Sequence, residues 1–112
     1  MVFIATILFA IAALAGLYLA FNHFTKKTPP IGIALLHGAL AATGLVLLLV
    51  HLMTQEGPSL LYYAVGLFAV AALGGFLLFS FRLRKISPPP AFIVVHALLA
   101  VSGFVCLVLA QL

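Results

Sequence analysis

Charge is what this sequence has least of. Only 5% of its 112 residues are charged, and Glu56 is the one acidic side chain. A soluble domain of this size cannot cover its surface with so little charge, so a water-soluble fold is excluded. Cysteine is also scarce, because Cys106 stands alone. A disulfide framework and a cysteine metal motif are therefore excluded, and Cys106 is expected to be a small packing residue.

Long apolar segments take the place of the missing charge. The chain is 67% hydrophobic, with a mean hydropathy of +1.43. Each apolar segment has about 20 residues, enough to cross a hydrocarbon core of about 30 Å. Backbone polar groups in lipid must be paired within the segment, which favours helices. The sequence therefore predicts an all-α membrane protein, a bundle of four transmembrane helices at 2–21, 31–53, 60–81 and 91–110.

The few charged residues predict the orientation in the membrane. All five basic residues lie in or beside the first and third connections, and Glu56 lies in the second. The positive-inside rule then places both termini outside the cytoplasm, and a bacterial inner (plasma) membrane is the expected location. This arrangement accounts for the net charge of +4 with the lipid bilayer as partner and no nucleic acid. The basic residues are Lys26, Lys27, Arg82, Arg84 and Lys85.

The same two-helix unit occurs twice, with an offset of 59 residues. Residues 8–16 match 67–75, and His37 matches His96. We therefore expect a single domain, 1–112, formed by a tandem parallel repeat of helical hairpins at 2–53 and 60–112, related by an axis along the membrane normal. Thr28 and Ser87 precede proline pairs and are expected to cap helices 2 and 4.

His37 and His96 are the leading candidates for a functional site. The repeat places them at equal depth, where an unpaired imidazole in hydrocarbon is costly. Neutral imidazole binds haem iron, zinc, copper or chlorophyll magnesium. A metal held by protein alone needs three or four ligands, and no carboxylate or thiolate lies near this depth. A porphyrin supplies four nitrogens, so two axial histidines between helices 2 and 4 predict haem b. Hydrogen bonding of both histidines across helices remains the alternative.

The surroundings of the two histidines also suit a haem. Gly44 and Gly103 each lie seven residues beyond a histidine, on the same helical face, where a flat macrocycle needs small residues. The basic residues near the starts of helices 2 and 4 are expected to attract the haem propionates. These cofactor-binding candidates are Lys26, Lys27, Arg82, Arg84 and Lys85.

A third histidine carries a resemblance to a known family. His51 follows His37 by fourteen residues, with Gly44 midway. This helix resembles the haem-bearing helices of b-type membrane cytochromes, in which two histidines about that far apart hold haems near opposite faces. The resemblance implies a second haem at His51. Because Ala110 occupies the matching position, its other ligand has to come from another subunit, such as His51 of a second copy.

Two histidines also have simpler interpretations. His51 lies where an interfacial residue at a helix end is expected, and that is the alternative to a second haem. His23 matches Arg82 in the other repeat and is expected to be a cytoplasmic boundary residue.

These patterns predict a membrane b-type cytochrome, or a haem-bearing subunit of a membrane redox complex, that transfers single electrons. Its expected partners are other membrane redox subunits or a second copy of the chain, with a quinone as a candidate donor or acceptor. Such a protein is an electron carrier or subunit more than an enzyme by itself. The alternatives are a non-catalytic accessory or assembly subunit, a small transporter, and a chlorophyll-binding subunit.

Overall fold

The computed structural model describes all 112 residues and contains four α-helices and no strand. Each helix is long and apolar enough to cross a membrane. The predicted all-α membrane fold is therefore confirmed, and four such helices are consistent with the predicted bundle. The helices are α1 (Val2–Phe24), α2 (Ile31–Thr54), α3 (Ser59–Leu83) and α4 (Pro90–Leu109).

The chain divides into two compact units, Met1–Thr54 and Gln55–Leu112. In the first unit α1 packs against α2, and in the second α3 packs against α4. Each unit is thus one helical hairpin and contains one copy of the sequence repeat.

Rings and glycines define the packing register of the first hairpin. The Phe9 ring of α1 lies against Gly44 of α2, where an added methyl group would be 2.9 Å from Phe9 Cε2. The His37 ring of α2 lies against Gly16 of α1, where an added methyl group would be 2.8 Å from His37 Cε1. The two helices therefore run antiparallel. Each ring reaches the opposite backbone because the glycine there has no Cβ.

The second hairpin repeats this register. Phe68 lies against Gly103, and His96 lies against Gly75. Five buried residues of each hairpin also correspond at the offset of 59, whereas Asn22 and Leu61 are each buried in one hairpin only. Most of the packing is therefore repeated along with the sequence. Ala5, Phe9, Ala12, Gly44 and Leu48 are buried in the first hairpin, and Ala64, Phe68, Ala71, Gly103 and Leu107 in the second.

Helices α1 and α3, the first helix of each hairpin, end in the same type of turn. Lys26 has a φ of 60°, and its N–H donates to the His23 carbonyl at 3.1 Å. The N–H of Lys27 donates to the Asn22 carbonyl at 2.8 Å. This pair of bonds is a Schellman motif, in which glycine usually occupies the left-handed position. Lys85 ends α3 in the same way, with a φ of 57°.

The helices α2 and α4 begin within one residue of the predicted positions, but the hydroxyl residues do not cap them. The expected cap at Ser87 is wrong, because the N-cap of α4 is Pro89 and it makes no side-chain hydrogen bond. Thr28 likewise lies three residues before Ile31, where α2 begins. Consecutive prolines favour extended backbone before the helix, with ψ of 139° at Pro89, and this separates each hydroxyl from the first turn.

Candidate functional site

His37 joins the two helices of the first hairpin. It lies six residues after the start of α2, or about 9 Å along the helix. Its Nδ1 is 2.7 Å from the backbone carbonyl oxygen of Ala12 in α1. Ala12 is only 3% exposed, so this bond lies in the packed face between the helices.

This contact determines which ring nitrogen of His37 carries the proton. A carbonyl oxygen only accepts hydrogen bonds, so Nδ1 must be the donor. In the neutral imidazole the lone pair then belongs to Nε2. The hydrogen bond therefore selects the tautomer in which Nε2 is the basic nitrogen, which is the form that binds a metal.

His96 has the same geometry in the second hairpin. Its Nδ1 is 2.8 Å from the carbonyl oxygen of Ala71 in α3. Both the histidine and its acceptor are displaced by 59 residues from their counterparts in the first hairpin. His96 also lies six residues after the start of its helix, and both histidines are half-buried. The two hairpins thus contain two equivalent histidine positions.

The glycines beside the two rings leave different amounts of room. An added methyl group on Gly16 would lie 2.8 Å from Cε1, 3.3 Å from Nδ1 and 3.6 Å from Nε2 of His37. On Gly75 it would lie 3.3 Å from Cε1 of His96, and on Gly74 it would lie 3.5 Å from Nδ1. The ring of His37 is therefore the more closely seated.

Gly44 and Gly103 lie on the same side of their helices as the histidines. Each is buried and contacts a phenylalanine ring, Phe9 for Gly44 and Phe68 for Gly103. Within each hairpin these glycines therefore admit an aromatic ring of the first helix. Their predicted contact with a macrocycle stays a prediction.

The basic residues are divided between the connections of the two hairpins. Lys26 and Lys27 are exposed after α1, and Arg84 and Lys85 are exposed after α3. Arg84 is held against its own helix, because its Nε donates to the Ser80 carbonyl at 3.2 Å. The Arg84 guanidinium also lies 4.8 Å from the centre of the Phe81 ring. Arg82, in the last turn of α3, is half-buried.

His51 and His23 occupy helix ends, as their simpler interpretations expect. His51 is in the last turn of α2, about 21 Å along the helix from His37. His23 is in the last turn of α1 and makes an edge contact with Phe24, with ring centroids 5.3 Å apart. The chain contains no group of three or more His, Cys, Asp or Glu side chains that could hold a metal ion.

Sequence reasoning missed the acceptors and the ring contacts. The carbonyls of Ala12 and Ala71 were not expected as partners, and neither were the rings of Phe9 and Phe68. Their identity in the two repeats does not single them out, because most residues of 8–16 are identical at the offset of 59.

Comparisons with known proteins identify no relative. No protein-family model, curated protein or solved structure matches the chain.

Proposed function

We propose that this protein is a membrane b-type cytochrome, or the haem-bearing subunit of a membrane redox complex, with His37 and His96 as the axial ligands of one haem b. The observation that carries the proposal is the pair of equivalent hydrogen bonds from Nδ1 to a backbone carbonyl, at Ala12 and at Ala71. Because both repeats make this bond, both imidazoles have the tautomer that leaves Nε2 as the metal-binding nitrogen.

These hydrogen bonds have the form expected around a metal-ligating histidine. Such a residue almost always donates its second ring N–H to a carbonyl, a carboxylate or water. The bond fixes the ring orientation and raises the basicity of the ligating nitrogen. His37 and His96 each make this bond with the helix that precedes them, so each hairpin orients its own imidazole.

The available donors suit haem better than a bare metal ion. Two imidazoles are too few for a zinc or copper site held by protein alone, whereas a porphyrin supplies four nitrogens and leaves two axial positions. A bound haem would supply one-electron redox chemistry, and His37 and His96 would hold it. The exposed Lys26 and Lys27 and the basic residues after α3 supply positive charge for two propionates.

The positions of the charged residues suggest the orientation in the membrane, and the redox role suggests the partners. The basic connections would hold the propionates of a bound haem on the cytoplasmic side of a bacterial inner membrane. Both termini would lie on the opposite side of that membrane. The partners are other membrane redox subunits or a second copy of the chain, and a quinone is the candidate small-molecule donor or acceptor. A second haem at His51 requires a ligand from another subunit.

The test is the absorption spectrum of the purified protein, oxidised and reduced with dithionite. We expect sharp bands of six-coordinate, low-spin iron on reduction, and little change with carbon monoxide. His37→Leu and His96→Leu should each abolish or greatly weaken haem retention, because one ligand is left to hold the iron. His23→Leu is the matched control and should retain the haem. His51→Leu should lower the haem content only where a second haem is shared between subunits.

The result that contradicts the ligand assignment is equally clear. If both single variants keep a full haem complement with an unchanged spectrum, His37 and His96 are not the ligands. Wild-type protein without any pigment, purified after expression with sufficient haem, would contradict the cytochrome itself.

The second candidate is a non-catalytic accessory or assembly subunit. The observation that favours it is that each histidine's Nδ1 bond already joins the two helices of one hairpin. Hydrogen bonds between membrane helices contribute about 0.6 kcal/mol on average. This candidate expects pigment-free protein in which His37→Leu and His96→Leu lower the thermal stability.

A further inference from the structure

We infer that Gly16 and Gly75 are positioning residues, which determine where the imidazoles of His37 and His96 lie and so keep the Nδ1 hydrogen bonds intact. For the haem ligands, this inference rests on the proposed function. For the imidazole placement itself, it rests only on the geometry of each hairpin.

The ring of His37 lies very close to the backbone of α1 at Gly16. A methyl group on Gly16 would lie 2.8 Å from Cε1 of His37, well inside ordinary carbon–carbon contact of about 3.5–4.0 Å. No side chain larger than hydrogen fits there unless the ring moves. The acceptor Ala12 precedes Gly16 by four residues, so carbonyl and glycine lie on one face of α1.

The ring of His37 cannot move away from Gly16 without weakening its hydrogen bond to the Ala12 carbonyl. The end of a flexible side chain usually shifts at little cost, but His37 is held by Nδ1 at 2.7 Å from the Ala12 carbonyl. The added methyl group would also lie 3.3 Å from Nδ1 itself. The displacement that relieves the clash therefore stretches the hydrogen bond. Gly16 thereby acts on the tautomer and direction of the His37 ring through contact with that ring, without itself binding a haem.

The space between the glycine and the imidazole ring differs between the two hairpins. In the second hairpin the corresponding distance from Gly75 is 3.3 Å, and Gly74 replaces Ala15 beside it. A methyl group there needs a ring shift of only a few tenths of an ångström. The ring of His37 therefore lies closer to its glycine than the ring of His96 does, and an added methyl group should disturb His37 more.

The test compares four single substitutions in the full-length protein in detergent micelles. These are Gly16→Ala, Gly75→Ala, Gly74→Ala and the control Gly38→Ala, whose methyl group would meet nothing within 4 Å. The first readout is the tautomer of each histidine in cofactor-free protein, measured by ¹⁵N NMR of labelled imidazole. We expect both rings to be protonated at Nδ1 in the wild type. Gly16→Ala should give a mixture of tautomers at His37 and leave His96 unchanged.

The remaining variants complete the series. Gly75→Ala should cause a smaller change at His96, whereas Gly74→Ala and Gly38→Ala should cause none. If His37 keeps its Nδ1 proton in folded Gly16→Ala protein, the inference is wrong.

The second readout is the haem itself. Loss of a second-shell partner typically weakens metal binding by about ten- to hundredfold. We expect Gly16→Ala to release haem faster by a factor of that order and to change the low-spin spectrum, with a smaller effect for Gly75→Ala. Wild-type protein that binds no haem refutes the proposed function, and the tautomer measurement then decides the inference by itself. Haem-binding protein that Gly16→Ala leaves unchanged in both readouts refutes the inference alone.

A double variant covers the case in which Gly16→Ala does not fold. Removing the ring removes the clash, so Gly16→Ala combined with His37→Ala should recover the thermal stability of His37→Ala. A defect that persists without the ring would show that Gly16 acts through another contact, and would overturn the inference.

Discussion

At the scale of single residues, each hairpin is fitted together by two rings and two glycines. The first helix contributes Phe9 and Gly16, and the second contributes His37 and Gly44. The apolar ring has only packing to satisfy, whereas the imidazole must also find a hydrogen-bond partner in a membrane. Another apolar side chain of similar shape could therefore replace Phe9. A replacement for His37 would have to match both its shape and its hydrogen bond.

Gly44→Ala should destabilise the protein relative to Gly38→Ala. Both changes favour helix by a similar amount, about 1 kcal/mol, so their difference reports packing. The methyl group at Gly44 would lie 2.9 Å from Phe9 Cε2, and overpacking costs about 1–3 kcal/mol. The measurement is the midpoint of denaturant unfolding in detergent. Phe9→Leu should reduce the penalty, and equal stabilities of the two single variants would contradict the contact.

At the scale of the helix, both first helices end at a lysine in the left-handed conformation. A residue with Cβ at this position costs about 1–2 kcal/mol, and Lys26 and Lys85 both occupy it. A positive charge at the C-terminal end of a helix is favourable by about 0.3–1 kcal/mol. At a membrane boundary it also favours a cytoplasmic location. Lysine therefore offsets part of the backbone strain by its charge.

Replacing Lys26 with glycine should relieve that strain. The penalty of about 1–2 kcal/mol exceeds the entropy of about 0.5–1 kcal/mol that glycine loses on folding. Lys26→Gly should therefore unfold at higher denaturant concentration than Lys26→Gln, by about 0.5–1 kcal/mol in free energy. The glutamine variant is the control, since it removes the charge and keeps the Cβ. A glutamine variant at least as stable as the glycine variant would argue against strain at this turn.

At the scale of the whole molecule, we expect charge to determine which end of each apolar helix faces the cytoplasm. The connections after α1 and α3 contain the basic residues, and the connection after α2 contains only Glu56. Four spans bring the chain back to the side on which it began. Both ends are thus expected on one side of the membrane, opposite the basic connections.

Reporter fusions test this orientation directly. A reporter at either terminus should be found outside the cytoplasm, and one inserted between α1 and α2 should be found inside. Neutralising the five basic residues with glutamine and adding lysines beside Glu56 should invert the result, because orientation follows the basic residues of short loops. A C-terminus found in the cytoplasm of the wild type would overturn the orientation and leave the four helices unaffected.

The sequence by itself determined the class of fold, the helices and the repeat. Hydropathy identifies membrane helices well because every spanning backbone must pair its own polar groups, and this requires no knowledge of tertiary contacts. The offset of 59 residues singled out His37 and His96 in the same way, since a duplicated residue needs no coordinates to be recognised. The helix starts were predicted to within one residue, but their N-caps were not, because consecutive prolines displaced the expected cap at Ser87.

The tertiary structure alone decided what the two imidazoles contact. Nothing in the sequence distinguishes the carbonyl of Ala12 from those of its neighbours, because every residue carries the same acceptor. The antiparallel register of α1 and α2 brings that carbonyl to His37 Nδ1 and places Gly16 beneath the ring. The tautomer of each histidine follows from this register, because a hydrogen bond depends on the positions of two atoms and a sequence lists only their identities.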